Sequence, residues 1–247
     1  MPFQLGLEFH TFTMIGRCER EGLLGICLTS SPPAVAARCV YLRANVGAVA
    51  TQAYTDPGLG SLALRLLGLG YSPAKVIDEM KASDEWSGYR QHGVLDQNGR
   101  TAVFTGSNNL DWKGHVTGPN HIAMGNSLAG PQVVDAMAKA FLNSSEEILE
   151  ERLLRAIEAG RNAGGERGSE KGGPPLSSGL VVYGRNAYPR TDLRVDLFPS
   201  QPGMAGDAVD ELRRVFSEYK PLIEYYELRP RDPLMEGWRD WQAKHRC

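Results

Sequence analysis

The sequence predicts a layered α+β domain with mostly antiparallel sheets, on three observations. The chain opens with strand-like segments, continues through paired helical segments, and returns to strands towards its end. The runs Cys18-Glu-Arg-Glu-Gly22 and Gln97-Asn-Gly99 each lie between strand-like segments, as antiparallel hairpins require. Asn-Gly in particular tolerates the positive φ of a tight hairpin turn. No internal repeat is visible.

The elements follow in order. Residues 11–17 alternate as a strand, and 23–30 form its partner after the turn at 18–22. The expected pairing sets Arg17 near Leu23 and Thr13 near Cys27, which leaves Cys18 and Cys27 out of register for a bridge. Residues 46–52, Val-Gly-Ala-Val-Ala-Thr-Gln, are a small-residue strand expected to be buried on both faces. Helices are predicted at 59–67, stopped by Gly68 and Gly70, and at 73–81, opened by Ser72 as cap and Pro73 in the first turn. Strands at 91–96 and 100–105 flank the Asn98-Gly99 turn, and 121–126 is another strand. Helices follow at 132–141 and 146–162, the second placing Leu149, Leu153 and Ile157 on one face. Residues 163–178, rich in Gly, Ser and Pro, read as a long exposed loop. Strands at 179–183 and 192–197 and a helix at 207–219 follow, with a Trp-bearing tail beyond Pro230.

Composition narrows the function classes. Of 247 residues, 42% are hydrophobic and 23% charged, enough apolar material for a core and too much for wholesale disorder. A net charge of −2 offers no global basic field for nucleic acid or an anionic membrane. No apolar run reaches the ~20 residues that span a bilayer. The first ten residues lack a basic start and carry Glu8, a poor secretion signal. Cys18, Cys27, Cys39 and Cys247 show no CxxC spacing, so the expectation is buried thiols in a reducing cytoplasm, with no metal and no cofactor.

Five segments in series carry a family resemblance: Thr11-Phe-Thr-Met-Ile-Gly-Arg17, Gly47-Ala-Val-Ala-Thr-Gln52, Trp112-Lys-Gly-His115, Gly125-Asn-Ser-Leu-Ala-Gly130 and Asp192-Leu-Arg-Val-Asp196. Together they resemble a bacterial and archaeal domain-of-unknown-function family grouped with the N-terminal nucleophile (Ntn) hydrolases. The resemblance implies a four-layer αββα sandwich over residues 11–200. Residues 1–10 would precede it as an extension, and 201–247 would pack on it as a helical extension. It implies a fold more than a reaction.

What the resemblance implies for chemistry centres on Thr11. An Ntn hydrolase attacks with the side chain of its first residue and uses that residue's free α-amine as base, since an α-amine titrates near ~7.7–8. Many family members begin Met-Thr-Phe. Here His10 stands before Thr11-Phe12 and nine residues precede it, so either the His10–Thr11 bond is cut or Thr11 is an ordinary strand start. Arg43, before the 46–52 strand, falls near the spacing of a lysine that assists the nucleophile in proteasome-like enzymes; a surface arginine is the alternative. Thr29 and Ser30 end a strand where Ntn enzymes orient the amine, or else serve a turn. Asn126 is the candidate oxyanion donor, or a helix-entry residue. Thr51, Gln52 and His115 would line the substrate side. His115 and His121 lack an evident third ligand for a metal. Gly164-Gly-Glu-Arg-Gly168 lacks the GK[ST] ending of a phosphate loop and reads as linker. The expected activity is hydrolysis of an amide or small peptide, with a homodimer as a further expectation. The alternative is a catalytically silent binding or scaffold protein.

Overall fold

Residues 11–18 and 23–30 pair as expected, but one position out of the anticipated register. Strands β1 (Thr11–Cys18) and β2 (Leu23–Ser30) set Thr11 opposite Ser30 and Cys18 opposite Leu23. The loop is therefore one residue shorter than the sequence suggested, and Arg17 faces Leu24 while Thr13 faces Leu28. In a strand such a slip decides which face each partner shares. Gly22, at φ +69°, supplies the left-handed residue that closes the loop.

The structure is a computed structural model that describes residues 10–167, 174–199 and 205–245. After β2 come α1 (Val35–Cys39), β3 (Val40–Arg43), β4 (Gly47–Ala53), α2 (Pro57–Gly68) and α3 (Pro73–Ala82). Strands β5 (Arg90–Asp96), β6 (Thr101–Thr105), β7 (Gly114–Gly118) and β8 (His121–Gly125) follow. Then come α4 (Gln132–Asn143), α5 (Leu149–Asn162), β9 (Ser177–Tyr183), β10 (Pro189–Val195), α6 (Ala208–Tyr219), α7 (Ile223–Leu228) and α8 (Trp238–His245). Short-range chemistry explains several boundaries. Asp56 caps α2 by accepting from the Gly58 N–H at 2.8 Å, and Ser72 caps α3 with Pro73 in its first turn. Asp96 accepts from the amides of Asn98 and Arg100, both at 2.9 Å, which locks the β5–β6 hairpin around Gly99 at φ +81°.

The strands form two sheets with every named pairing antiparallel. One has the order β10-β9-β2-β1-β8-β7 and the other β3-β4-β5-β6. The pleat of β1 sorts its side chains to opposite faces. Phe12 and Met14 join Met137, Phe141, Leu153 and Ile157 beneath α4 and α5. Ile15, with Ile26, Leu28, Ile122 and Met124, faces Ala48, Ala50 and Leu95 of the second sheet. Helices α2 and α3 cover that sheet's other face through Leu59, Ala63, Val76 and Met80. The layers thus run helices, sheet, sheet, helices. Close approach of the sheets needs Gly93, because a Cβ there would meet Ile15 and Met124 at 3.0 Å. No described helix is long and apolar enough to cross a membrane.

Three expectations shift. Helix α5 starts at Leu149 rather than 146, because Ile148 is extended. The stretch 163–178 is not all loop, since β9 begins at Ser177 and residues 165–167 are held against the chain after β8; residues 168–173 lie outside the described residues. Strand β10 runs Pro189–Val195 rather than 192–197. Residues 1–9 of the expected extension at 1–10, the 200–204 join and Cys247 also lie outside the described residues.

Candidate functional site

Where β1 begins, the layer between the sheets turns polar. Thr11 and Thr13 occupy the inward-facing positions that Ile15 continues further along, and all three are fully buried. Polar groups without water need partners, and the sequence supplies them from five other segments. The Thr13 hydroxyl donates to Gln52 Oε1 at 2.5 Å. Gln52 Nε2 lies 2.7 Å from Gln91 Oε1 and 3.2 Å from the Thr11 carbonyl. Gln91 Nε2 in turn reaches Thr105 Oγ1 at 3.0 Å, the Gly125 carbonyl at 3.0 Å and the Gly114 carbonyl at 3.2 Å. Asn126 closes the ring: its backbone N–H donates to the Thr11 carbonyl at 3.1 Å, and its Nδ2 reaches Gln91 Oε1 at 3.3 Å.

The register explains the gathering. Gln52 and Gln91 are paired neighbours on β4 and β5, and Phe12 lies opposite Gly125 on β8, so Asn126 emerges beside Thr11. Ala53 and Ser127, the residues after Gln52 and Asn126, both have positive φ, at 67° and 55°. Non-glycine residues accept that conformation at a cost, and here it turns the chain directly behind two site amides.

The other flank of Thr11 holds its most suggestive contact. Thr11 Oγ1 is 3.0 Å from Ser30 Oγ, and Ser30 Oγ donates to the carbonyl oxygen of His10 at 2.5 Å. Ser30 has one hydroxyl hydrogen, and with that hydrogen on the carbonyl, Thr11 is the donor of the first bond. Ser30 therefore links the Thr11 hydroxyl to the peptide bond immediately before it. Thr29, next along β2, points to the opposite face and donates to the Ser177 carbonyl at 2.9 Å.

Thr11, Ser30, Gln52 and Asn126 come together, and Arg43 and Thr51 do not join them. Arg43 pairs with Gly47 at the far end of β4, five residues from Gln52, or roughly 16 Å at ~3.3 Å per residue. Its guanidinium is exposed and donates to the Leu64 carbonyl at 3.1 Å in the last turns of α2. The β3–β4 hairpin reverses the chain and carries Arg43 away, so a cationic role beside Thr11 is withdrawn. Thr51 faces the α2–α3 layer by simple alternation and lies 3.2 Å from Thr55 Oγ1. His115 is exposed on β7, with Nδ1 3.1 Å from Thr105 Oγ1, so it touches the network only through that hydroxyl. Partial burial holds its pKa below the ordinary histidine value. His115 and His121 pair with Met124 and Gly118 and do not converge, and no metal-binding group of three or more His, Cys, Asp or Glu occurs among the described residues.

Sequence reasoning ranked Thr13 behind Thr11 and missed Gln91 and Thr105. The available signal was a glutamine in each of two adjacent strands, Gln52 ending a small-residue run, since a Gln buried on one strand needs a partner on its neighbour. A cavity of about 560 Å³ lies elsewhere, between α5, α6 and α8, lined by Phe216, Trp241, Arg213 and Glu151. Two of its cations already face Glu151, Arg213 at 2.9 Å and Lys220 at 3.2 Å. Its position sets it apart from the Thr11 cluster.

Comparison with known proteins agrees with the architecture and leaves the chemistry open. A family model described as a family of unknown function, DUF1028, matches residues 11–204. Among solved structures, the chain is similar to the crystal structure of protein SPO2555 from Silicibacter pomeroyi, assigned to the same family. That similarity has a TM-score of 0.73 and 27% identity, and covers 94% of this chain and 92% of that one. No curated protein matches the chain.

Proposed function

The chain belongs to the DUF1028 family of unknown function, which brings no reaction with it, and from the site itself we propose an amide-bond hydrolase of the Ntn type that acts through Thr11 once the His10–Thr11 bond is broken. The observation that carries this reading is the Ser30 hydroxyl, in contact with both Thr11 Oγ1 and the His10 carbonyl oxygen. That contact suits self-cleavage. The Thr11 oxygen attacks the His10 carbonyl carbon while its proton passes to Ser30 and the Ser30 proton passes to the carbonyl oxygen. Collapse of the adduct breaks the C–N bond, returns the proton to the departing nitrogen and leaves an ester on Thr11. The α-amine is free from that point, and water then hydrolyses the ester, releasing the His10 carboxylate and restoring the Thr11 hydroxyl.

The freed amine is the base that the uncut chain lacks, because an amide nitrogen accepts no proton near neutral pH. Thr11 is fully buried in the uncut chain, and His10, whose carbonyl Ser30 holds, would leave with the cut. Asn126 is the proposed oxyanion donor, and Gln52 and His115 are proposed to line the substrate side, for an amide or small peptide. Layering of helices around two antiparallel sheets supports the four-layer Ntn-type sandwich. Free, buried Cys18, Cys27 and Cys39 suit a reducing cytoplasm.

One observation favours the alternative, a binding protein without catalysis: in the intact chain the Thr11 nitrogen is a buried amide. Hydrolysis of a panel of peptide amides separates the two readings. The hydrolase reading expects activity that disappears in Thr11→Ala and persists, altered in rate, in Thr11→Ser. Equal activity in wild type and Thr11→Ala would overturn it.

A further inference from the structure

The Gly-rich run after α5 brings a carboxylate to the edge of the site. Gly164 and Gly165, at φ +121° and +53°, turn the chain sharply behind Asn162. The next residues then lie along the segment that follows Asn126. Ala129 N–H donates to the Gly165 carbonyl at 2.9 Å, Arg167 N–H donates to the Ser127 carbonyl at 2.8 Å, and Leu128 and Glu166 form an antiparallel bridge. From there Glu166 reaches the opposite flank. Its Oε2 accepts from the Ser31 N–H at 2.8 Å and from the Ser31 hydroxyl. Ser31 is the residue after Ser30, where the β1–β2 ladder ends. One side chain thus ties the strand end that carries Ser30 to the loop that follows Asn126, around the start of β1.

Anchoring Ser31 needs only an acceptor, yet the residue is a carboxyl with an oxygen to spare. Glu166 Oε1 is buried and has no hydrogen-bond partner. Among the described residues no Lys, Arg or His nitrogen forms an ion pair with it. The charged group that acts on it is Asp207 at the head of α6, which also holds Arg161 from the end of α5. Arg161 is committed to Asp207 at 3.1 Å and Asp210 at 2.5 Å. Burial first, and then the Asp207 charge, push the Glu166 carboxyl up to about 8, against the pull of its two Ser31 bonds. A buried carboxyl that nothing neutralises is costly, and such groups concentrate at functional sites.

We propose that Glu166 is a positioning residue of the Thr11 site: through Ser31 it holds the Ser30 hydroxyl between Thr11 and the His10 carbonyl, so breakage of the His10–Thr11 bond follows the charge on Glu166. This rests on the reading of Thr11 as a self-releasing nucleophile. An ionised carboxylate accepts more strongly from the Ser31 N–H and O–H than a protonated one, so the holding tightens as the proton leaves. Bond breakage therefore accelerates as pH rises through the titration of Glu166. Glu166→Gln keeps an acceptor of the same reach and abolishes the titration.

The test is the intact mass of the purified full-length chain, followed in time between pH 6 and pH 9.5. Wild type is expected to lose its first ten residues at a rate that climbs about tenfold across that range, with its midpoint near 8. Glu166→Gln, checked for folding by circular dichroism, is expected to break the bond about tenfold more slowly than wild type at pH 9 and with no pH dependence from this group. Ser31→Ala removes one bond that favours the ionised carboxyl, so its midpoint moves upward, a shift that loss of packing alone would not give. Glu166→Gln with the rate and pH profile of wild type would overturn the role of Glu166 and leave Thr11 standing. A wild-type chain that stays whole at every pH would overturn both.

Discussion

Gln91 is the strongest stability test of the polar layer, because five neighbours depend on one side chain. Replacing it by Met keeps nearly the same length and volume and removes the amide. The Nε2 hydrogens serve Thr105 Oγ1, the Gly125 carbonyl and the Gly114 carbonyl, so two hydrogens are divided among three acceptors. Oε1 accepts from Gln52 and from Asn126. About four hydrogen bonds therefore disappear, at roughly 1 kcal/mol net each. Gln52 retains the Thr11 carbonyl and Thr13, which limits its loss, whereas the Asn126 Nδ2 loses its named partner in a site where only 1% of the residue is exposed. A stranded buried donor adds about 1–3 kcal/mol. The expected destabilisation is about 5–7 kcal/mol, a large share of the ~5–15 kcal/mol that holds an ordinary domain folded. Urea unfolding followed by circular dichroism measures it, as a fall in midpoint at unchanged slope. A loss below about 1 kcal/mol would refute the claim that Gln91 joins the two sheets at this end.

Other consequences are narrower. Asn126→Ala should lower Thr11-dependent hydrolysis on the order of a hundredfold if Asn126 stabilises the oxyanion, and a rate within threefold of wild type removes it from that role. His92 is buried with neither ring nitrogen hydrogen-bonded, and burial first, then Arg90, hold its pKa down to about 3. The folded imidazole stays neutral while the unfolded one takes a proton below about 6.5, so this contribution is lost as pH falls from about 6.5 towards 3. At ~1.4 kcal/mol per unit that loss has a ceiling of about 5 kcal/mol. His92→Phe, which retains the ring against Phe104, should show a shallower acid limb in urea unfolding, and an unchanged limb would contradict the assignment.

Much of the frame was legible because it rests on local chemistry. The Asn98-Gly99 hairpin, the Ser72 cap and the Leu149, Leu153, Ile157 stripe each depend on residues within a turn or two of one another. Thr11, Ser30 and Asn126 were also legible, as ends of strands that then pair around β1. The misreadings share a cause, which is that strand geometry transmits small errors over long distances. A one-residue slip re-paired Arg17 and Thr13, alternation placed Thr51 on the wrong face, and the β3–β4 reversal removed Arg43 from the site. Gln91 and Glu166 were missed for another reason: their importance lies in partners distant in sequence, such as Gly125 for Gln91 and Ser31 for Glu166. A glycine-rich setting made Glu166 look like linker, although the backbone around it is hydrogen-bonded to the loop after Asn126.

The central claim is that Thr11 becomes the first residue of the working protein. The most direct measurement is N-terminal sequencing with intact mass on protein taken from its native host, beside the Thr11→Ala variant expressed there. The account predicts wild-type chains that begin Thr-Phe-Thr and lack the mass of residues 1–10, with Thr11→Ala chains retaining that segment. Wild-type chains that uniformly keep His10 joined to Thr11 would contradict it and leave the binding-protein reading in its place.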